Sequence, residues 1–188
     1  MKRIIALLIA GVLISGCSSF IGAVKEEPIQ EDSGNRTSGS FVDDELIEIK
    51  AAVNIGKGSQ ELKSSHVSIT SFNGVVLIAG QVASEGSRQE AESIVSQVRK
   101  IRRIHNELTV TSPTSSLTRA SDTWITAKIK ANMLGDERVN ATRIKVVTEN
   151  GVVYLMGLVY PQEAEDAVNL VRTVNGIQKI VKIFEYIN

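Results

Sequence analysis

Few side chains in this 188-residue chain have types and spacings suited to chemistry. His66 and His105 are its two histidines. Neither has a neighbouring cysteine or an H-x-x-E-type spacing, so metal ligation and general-base work are not expected of them. No G-x-S-x-G, Walker or G-x-G-x-x-G pattern occurs. Glu163, Glu165 and Asp166 cluster, but an acidic first turn is what a helix dipole favours. These are not the residues of an enzyme, and no metal or other cofactor is expected. The basic cluster Arg99, Lys100, Arg102 and Arg103 could meet phospholipid headgroups or a partner's acidic face. The plainer reading is that these cations complement the C-terminus of a helix.

The sharper signal is the one tryptophan. At 100° per residue, Ile125, Ile129 and Met133 form a narrow stripe that should face a sheet. Trp124, Lys128 and Ala131 lie together on another side, with Ala127, Lys130 and Leu134 further round. An indole at a membrane interface sits near the headgroups while lysine stems snorkel toward phosphate. Trp124, Lys128, Lys130, Ala131 and Leu134 are therefore the candidate lipid-binding residues. The competing reading packs Trp124 under another part of the chain. Lys plus Arg equals Asp plus Glu at 21 each, a balance that argues against a nucleic-acid partner.

The elements that must position these residues occur twice. Asn150-Gly151-Val152-Val153-Tyr154-Leu155-Met156-Gly157 repeats Asn73-Gly74-Val75-Val76-Leu77-Ile78-Ala79-Gly80, 77 positions earlier. Asn-Gly between alternating apolar runs predicts a two-residue type I′ hairpin. Pairing Glu149 with Val152 gathers Ile144, Val146, Thr148, Val153, Leu155 and Gly157 on one face. The same operation on the first copy gathers Val67, Ile69, Ser71, Val76, Ile78 and Gly80.

A helix precedes each hairpin. The first is expected to be capped by Asp43 or Asp44, to carry Leu46, Ile47, Val53 and Ile55 as its apolar positions, and to be cut short at Gly56 and Gly58. The second is expected to start at Ser121-Asp122 and end at Gly135. A further helix and a third strand follow each hairpin, with Ala91, Ile94, Val95 and Val98 matching Ala167, Leu170, Val171 and Val174. The fold class expected is α+β: two tandem α-β-β-α-β units, each a three-stranded mixed sheet with two helices. Units this small bury thin cores, so the copies are expected to pack together.

Before the repeats, Lys2-Arg3 precedes an apolar run from Ile4 to Ile14, the length of a signal-peptide core and too short to span a bilayer. Leu13-Ile14-Ser15-Gly16-Cys17 resembles the bacterial lipobox, whose cysteine receives diacylglycerol and, after cleavage, an N-acyl chain. At roughly 0.8 kcal/mol per buried CH₂, three acyl chains hold permanently. In that family Ser18, rather than Asp, implies export to the outer membrane. The single cysteine also excludes disulfides and cysteine-based zinc sites.

The domain plan is thus 1–16 signal peptide, 17–42 lipidated Cys17 and flexible tether, 43–110 first unit, 111–120 linker and 121–188 second unit. The repeat pattern resembles the BON domain. Two such domains behind a lipobox resemble the dual-BON outer-membrane lipoproteins, the division and outer membrane stress-associated lipid-binding family. Ser121-Asp122-Thr123-Trp124-Ile125-Thr126 and Val146-Val147-Thr148-Glu149-Asn150-Gly151 carry that resemblance most closely. In the first repeat it is weaker, because Arg99-Lys100 replaces Asn175-Gly176. The resemblance implies a lipid-anchored protein facing the periplasm that binds anionic phospholipid through its second BON domain and supports envelope integrity. The alternative is an adaptor for outer-membrane proteins or the division-site machinery, with lipid only as tether.

Overall fold

The computed structural model describes residues 34–187. Cys17, the expected signal peptide and the expected tether up to residue 33 lie outside the described residues. The elements run α1 (Ser38–Ile55), a one-turn α2 (Gln60–Lys63), β1 (His66–Phe72), β2 (Val75–Val82), α3 (Glu85–Ser96) and β3 (Arg103–Val110). The second repeat runs α4 (Ser116–Leu134), β4 (Ile144–Glu149), β5 (Val152–Val159), α5 (Pro161–Arg172) and β6 (Lys179–Tyr186), with a short 3₁₀ turn at Ala141–Arg143.

Each repeat forms its own three-stranded sheet, in the orders β1-β2-β3 and β4-β5-β6. The hairpins are antiparallel, and the crossover after each lays the third strand parallel to the central one. Both hairpins have the expected register, Glu149 opposite Val152 and Phe72 opposite Val75. Both turns have positive φ at both central residues: 52° and 73° at Asn73 and Gly74, 48° and 72° at Asn150 and Gly151. That is the type I′ turn, whose twist matches that of the flanking strands. The α+β class and the two mixed sheets are as expected.

Beneath one face of each sheet lies a helix-packed core. In the second repeat Ile125, Ile129 and Met133 meet Val146, Val153 and Leu155, with Ala167 and Val171 closing from α5. In the first, Ile47, Ala51 and Ile55 meet Val76 and Ile78 with Ala91 and Val95. The opposite faces of the sheets are apolar too. Phe72, Val75, Leu77 and Ala79 pack with Tyr154, Met156 and Ile183 in a third cluster shared by both repeats. The result is a four-layer sandwich, helices on the outside and two sheets back to back. Every residue of β2 is buried, because the central strand is covered on both faces.

Both leading helices start earlier than expected. Thr37 caps α1 through the Ser40 N–H, and Ser115 caps α4 through the Thr118 N–H. Neither Asp43 nor Asp44 is a cap, and Ser121-Asp122 lies inside α4. A hydroxyl after an extended residue satisfies an orphan N–H as well as a carboxylate does, so polar Thr37 and Ser115 were sufficient. The apolar assignment in α1 also needs correction. Ile47 and Ile55 are buried with Ala51, whereas Leu46 and Val53 are about half exposed.

Candidate functional site

The two displaced aspartates have a structural task. Asp122 is buried on α4 and accepts from the Asn150 N–H at 2.8 Å and the Gly151 N–H at 2.9 Å. Asp44 does the same in the first repeat, accepting from Asn73 N–H at 2.7 Å and Gly74 N–H at 2.9 Å. Ser71 Oγ and Arg36 complete its shell at 2.6 and 2.8 Å. Burial pushes the Asp44 carboxyl up, but the hydrogen bonds from Ser71, Gly74, Arg36 and Asn73 outweigh it and hold the group below the usual carboxylate range. Each leading helix is thereby pinned to its own hairpin turn.

Pinning fixes the rotation of α4. With Asp122, Ile125, Ile129 and Met133 turned inward, the opposite side faces solvent. Trp124 is 58% exposed and Leu134 is 77% exposed. Lys128, Lys130 and Ala131 are exposed as well, so all five candidate residues lie on the outer side of one helix. Trp124 is not covered by the first repeat or by the linker. The earlier start of α4 adds Leu117, 79% exposed, and the exposed Ala120. On the helical wheel Leu117, Ala120, Trp124, Ala127, Ala131 and Leu134 form one apolar band opposite the core. The sequence placed Leu117 in a linker, so its period with Trp124 went unread. Exposed charge on α4 is cationic only, at Arg119, Lys128 and Lys130, because its one acidic residue, Asp122, points inward.

A cleft of about 500 Å³ opens beside this band, between α4 and the free edge of β4. Thr126, Lys130, Thr148 and Glu149 line it, together with His66 of the first repeat. His66 Nε2 lies 3.4 Å from Glu149 Oε2, and Gln81 donates to the other Glu149 oxygen at 2.8 Å. The second histidine lies elsewhere on β3. Its Nε2 is buried and has no hydrogen bond among the described residues, and burial, then Arg103, lower its pKa against the opposing pull of Glu107. Among the described residues, no three His, Cys, Asp or Glu side chains gather as metal ligands.

The basic cluster is partly consumed by the fold. Lys100 binds Asp43 at 2.7 Å, and Arg102 forks onto Glu185 of the second repeat at 2.7 and 2.9 Å. Lys100 takes φ 73°, the left-handed conformation that Gly176 takes at the matching place in the second repeat.

The BON domain model matches residues 43–112 and 121–188. The Haemophilus influenzae protein named outer membrane lipoprotein DolP is 32% identical over 191 residues, covering 100% of this chain and 97% of that protein. The 21 kDa hemolysin of Actinobacillus pleuropneumoniae is 32% identical over 81% of this chain and 78% of its own length. Osmotically-inducible protein Y of Escherichia coli is 30% identical over 79% of this chain and 75% of its own length. This chain belongs to the BON-domain family. Within that family it is an outer-membrane lipoprotein carrying two BON repeats.

Proposed function

We propose that this lipoprotein lays the outer face of α4 on anionic phospholipid at the periplasmic side of the outer membrane and so supports envelope integrity. The observation that carries the reading is the α4 band. Leu117, Trp124 and Leu134 stand exposed opposite the core, and the exposed charges on the same helix are all cationic. Apolar side chains would enter the interfacial region, and each lysine near the anionic surface would contribute about 1 kcal/mol. Acyl chains on Cys17 would hold the protein at that surface. Cys17→Ala should therefore leave the membrane fraction, and a variant still processed and membrane-bound would refute the anchor.

The decisive experiment uses the chain from Gly34 onward, which contains all three apolar clusters. Trp124 fluorescence is free of overlap, since the chain has one tryptophan. With its ring exposed, free protein should emit as a hydrated indole and shift to the blue on vesicles containing phosphatidylglycerol. Neutral phosphatidylcholine vesicles should produce little shift. Trp124→Ala and Lys128→Glu should weaken binding with the fold intact, and salt should mimic the charge reversal, screening exposed charges beyond ~8 Å at physiological strength. Emission unmoved by anionic lipid would transfer the α4 face to a protein partner.

A further inference from the structure

The other leading helix carries an apolar face of a different kind, exposed among the described residues. On α1 the exposed residues Val42, Leu46, Ile49 and Val53 are 54, 44, 58 and 50% accessible. Their spacing is four, three, four, the seam of a coiled coil. On the wheel the seam lies diametrically opposite Asp44, Ile47, Ala51 and Ile55, the buried side of α1. Because the two sheets pack back to back, α1 and α4 occupy opposite outer layers. A molecule resting on α4 therefore turns the α1 seam away from the lipid.

Charge separates the two faces. On α4 itself the exposed charges are cationic only, at Arg119, Lys128 and Lys130. Beside the α1 seam stand Asp43, Glu45, Glu48 and Lys50, a mixed set poorly suited to an anionic surface. Two of these are already engaged within the molecule, Asp43 with Lys100 and Glu48 with Lys145 at 2.7 Å. Glu45 and Lys50 make no ion pair or hydrogen bond among the described residues. They flank the seam on opposite sides, five residues apart. In two parallel helices sharing this seam, Glu45 of one copy meets Lys50 of the other, and the pair recurs on the second flank by symmetry. An antiparallel arrangement would direct Lys50 to Asp43, which Lys100 occupies.

We propose that α1 is a self-association surface: two copies of this chain pair their α1 helices in parallel through Val42, Leu46, Ile49 and Val53, clamped by reciprocal Glu45–Lys50 pairs. The seam is only two heptads long, too small to hold two copies together in dilute solution. Confinement of lipid-anchored copies to one membrane supplies the missing effective concentration. The pairing is independent of lipid binding by α4.

The test uses the full-length, lipidated chain in proteoliposomes. Ile49→Cys places a thiol at the seam, and Ser96→Cys, exposed on α3, serves as the control. Under mild oxidation Ile49→Cys should give a disulfide dimer well above both the unsubstituted protein and Ser96→Cys. Adding Lys50→Glu should reduce that dimer to the control level, and adding Glu45→Lys as well should restore it. A band no stronger than the control, or a dimer indifferent to Lys50→Glu, would overturn the proposal. Repetition in native membranes, yielding an adduct with another protein in place of the dimer, would overturn it too. Trp124→Ala should leave the dimer intact while weakening lipid binding, so failure of either surface can be told from failure of the other.

Discussion

Asp44 and Asp122 show what one side chain can hold. Each is a carboxylate on a helix whose two oxygens take the two N–H groups of a hairpin turn. Replacing Asp44 by Ala leaves the Gly74 N–H buried without a partner and strands Arg36 and Ser71. The expected loss is roughly 2–3 kcal/mol, read as a lowered denaturation midpoint at unchanged slope. The pH dependence has a definite sign. A carboxyl whose folded pKa is depressed contributes fully above its unfolded value of about 3.9, and the contribution is lost as pH falls through the lower folded value. Asp44→Asn should therefore flatten the acid limb of the stability profile, and an unaltered limb would assign the acid sensitivity elsewhere. The sequence announced these aspartates as important but gave the wrong reason. A carboxylate ahead of an apolar run suits an N-cap, and only the packed hairpin shows where its oxygens go.

At the scale of elements, the hairpins were the most legible part of the chain. Turn chemistry is local: Asn-Gly needs no tertiary partner to prefer positive φ. Gly151→Val places a β-branched residue at φ 72° and drives its Cβ toward the Gln178 side chain, 2.9 Å from Nε2. A loss on the order of 1–3 kcal/mol is expected, and a melting temperature unchanged by the substitution would contradict the strain. Ile129→Ala, at 0% exposure, should cost about 2–5 kcal/mol through a cavity. Helix starts were less legible, because several polar residues in a row can each serve as a cap. That uncertainty hid Leu117 from the α4 band and Val42 from the α1 seam.

For the whole molecule the back-to-back sheets are the governing feature. Val75, Leu77 and Ala79 would be open to water without Tyr154, Met156 and Ile183. Gln81–Glu149, Arg102–Glu185 and Lys145–Glu48 fasten the margins of that contact. The two repeats should accordingly unfold in one transition. Met156→Ala should destabilise both by roughly 2–5 kcal/mol. Two separate transitions by circular dichroism would show instead that each repeat stands alone. Tyr154 offers a second reporter of the same contact. Burial, reinforced by Glu107 and Glu149, pushes its phenol up to about 12. Its contribution is whole below the ordinary value of about 10 and is lost as pH rises through 12. Ultraviolet titration of the three tyrosines should show one ionising late.

By itself the sequence determined whatever depends on short-range periodicity: two repeats, two type I′ hairpins, the register that sends Val76 and Ile78 to a core, and the inward stripe of Ile125, Ile129 and Met133. Period and turn preference are properties of neighbouring residues, so they survive without knowledge of the fold. Tertiary structure alone decided which second face each sheet buries, although the unbroken apolar runs of β2 and β5 carried a hint. It alone turned Asp44 and Asp122 into hairpin clamps and set α1 and α4 on opposite outer layers. Those outcomes join residues dozens of positions apart, and what joins them is removal of apolar surface from water, which is non-directional and names no partner until the chain has closed on itself.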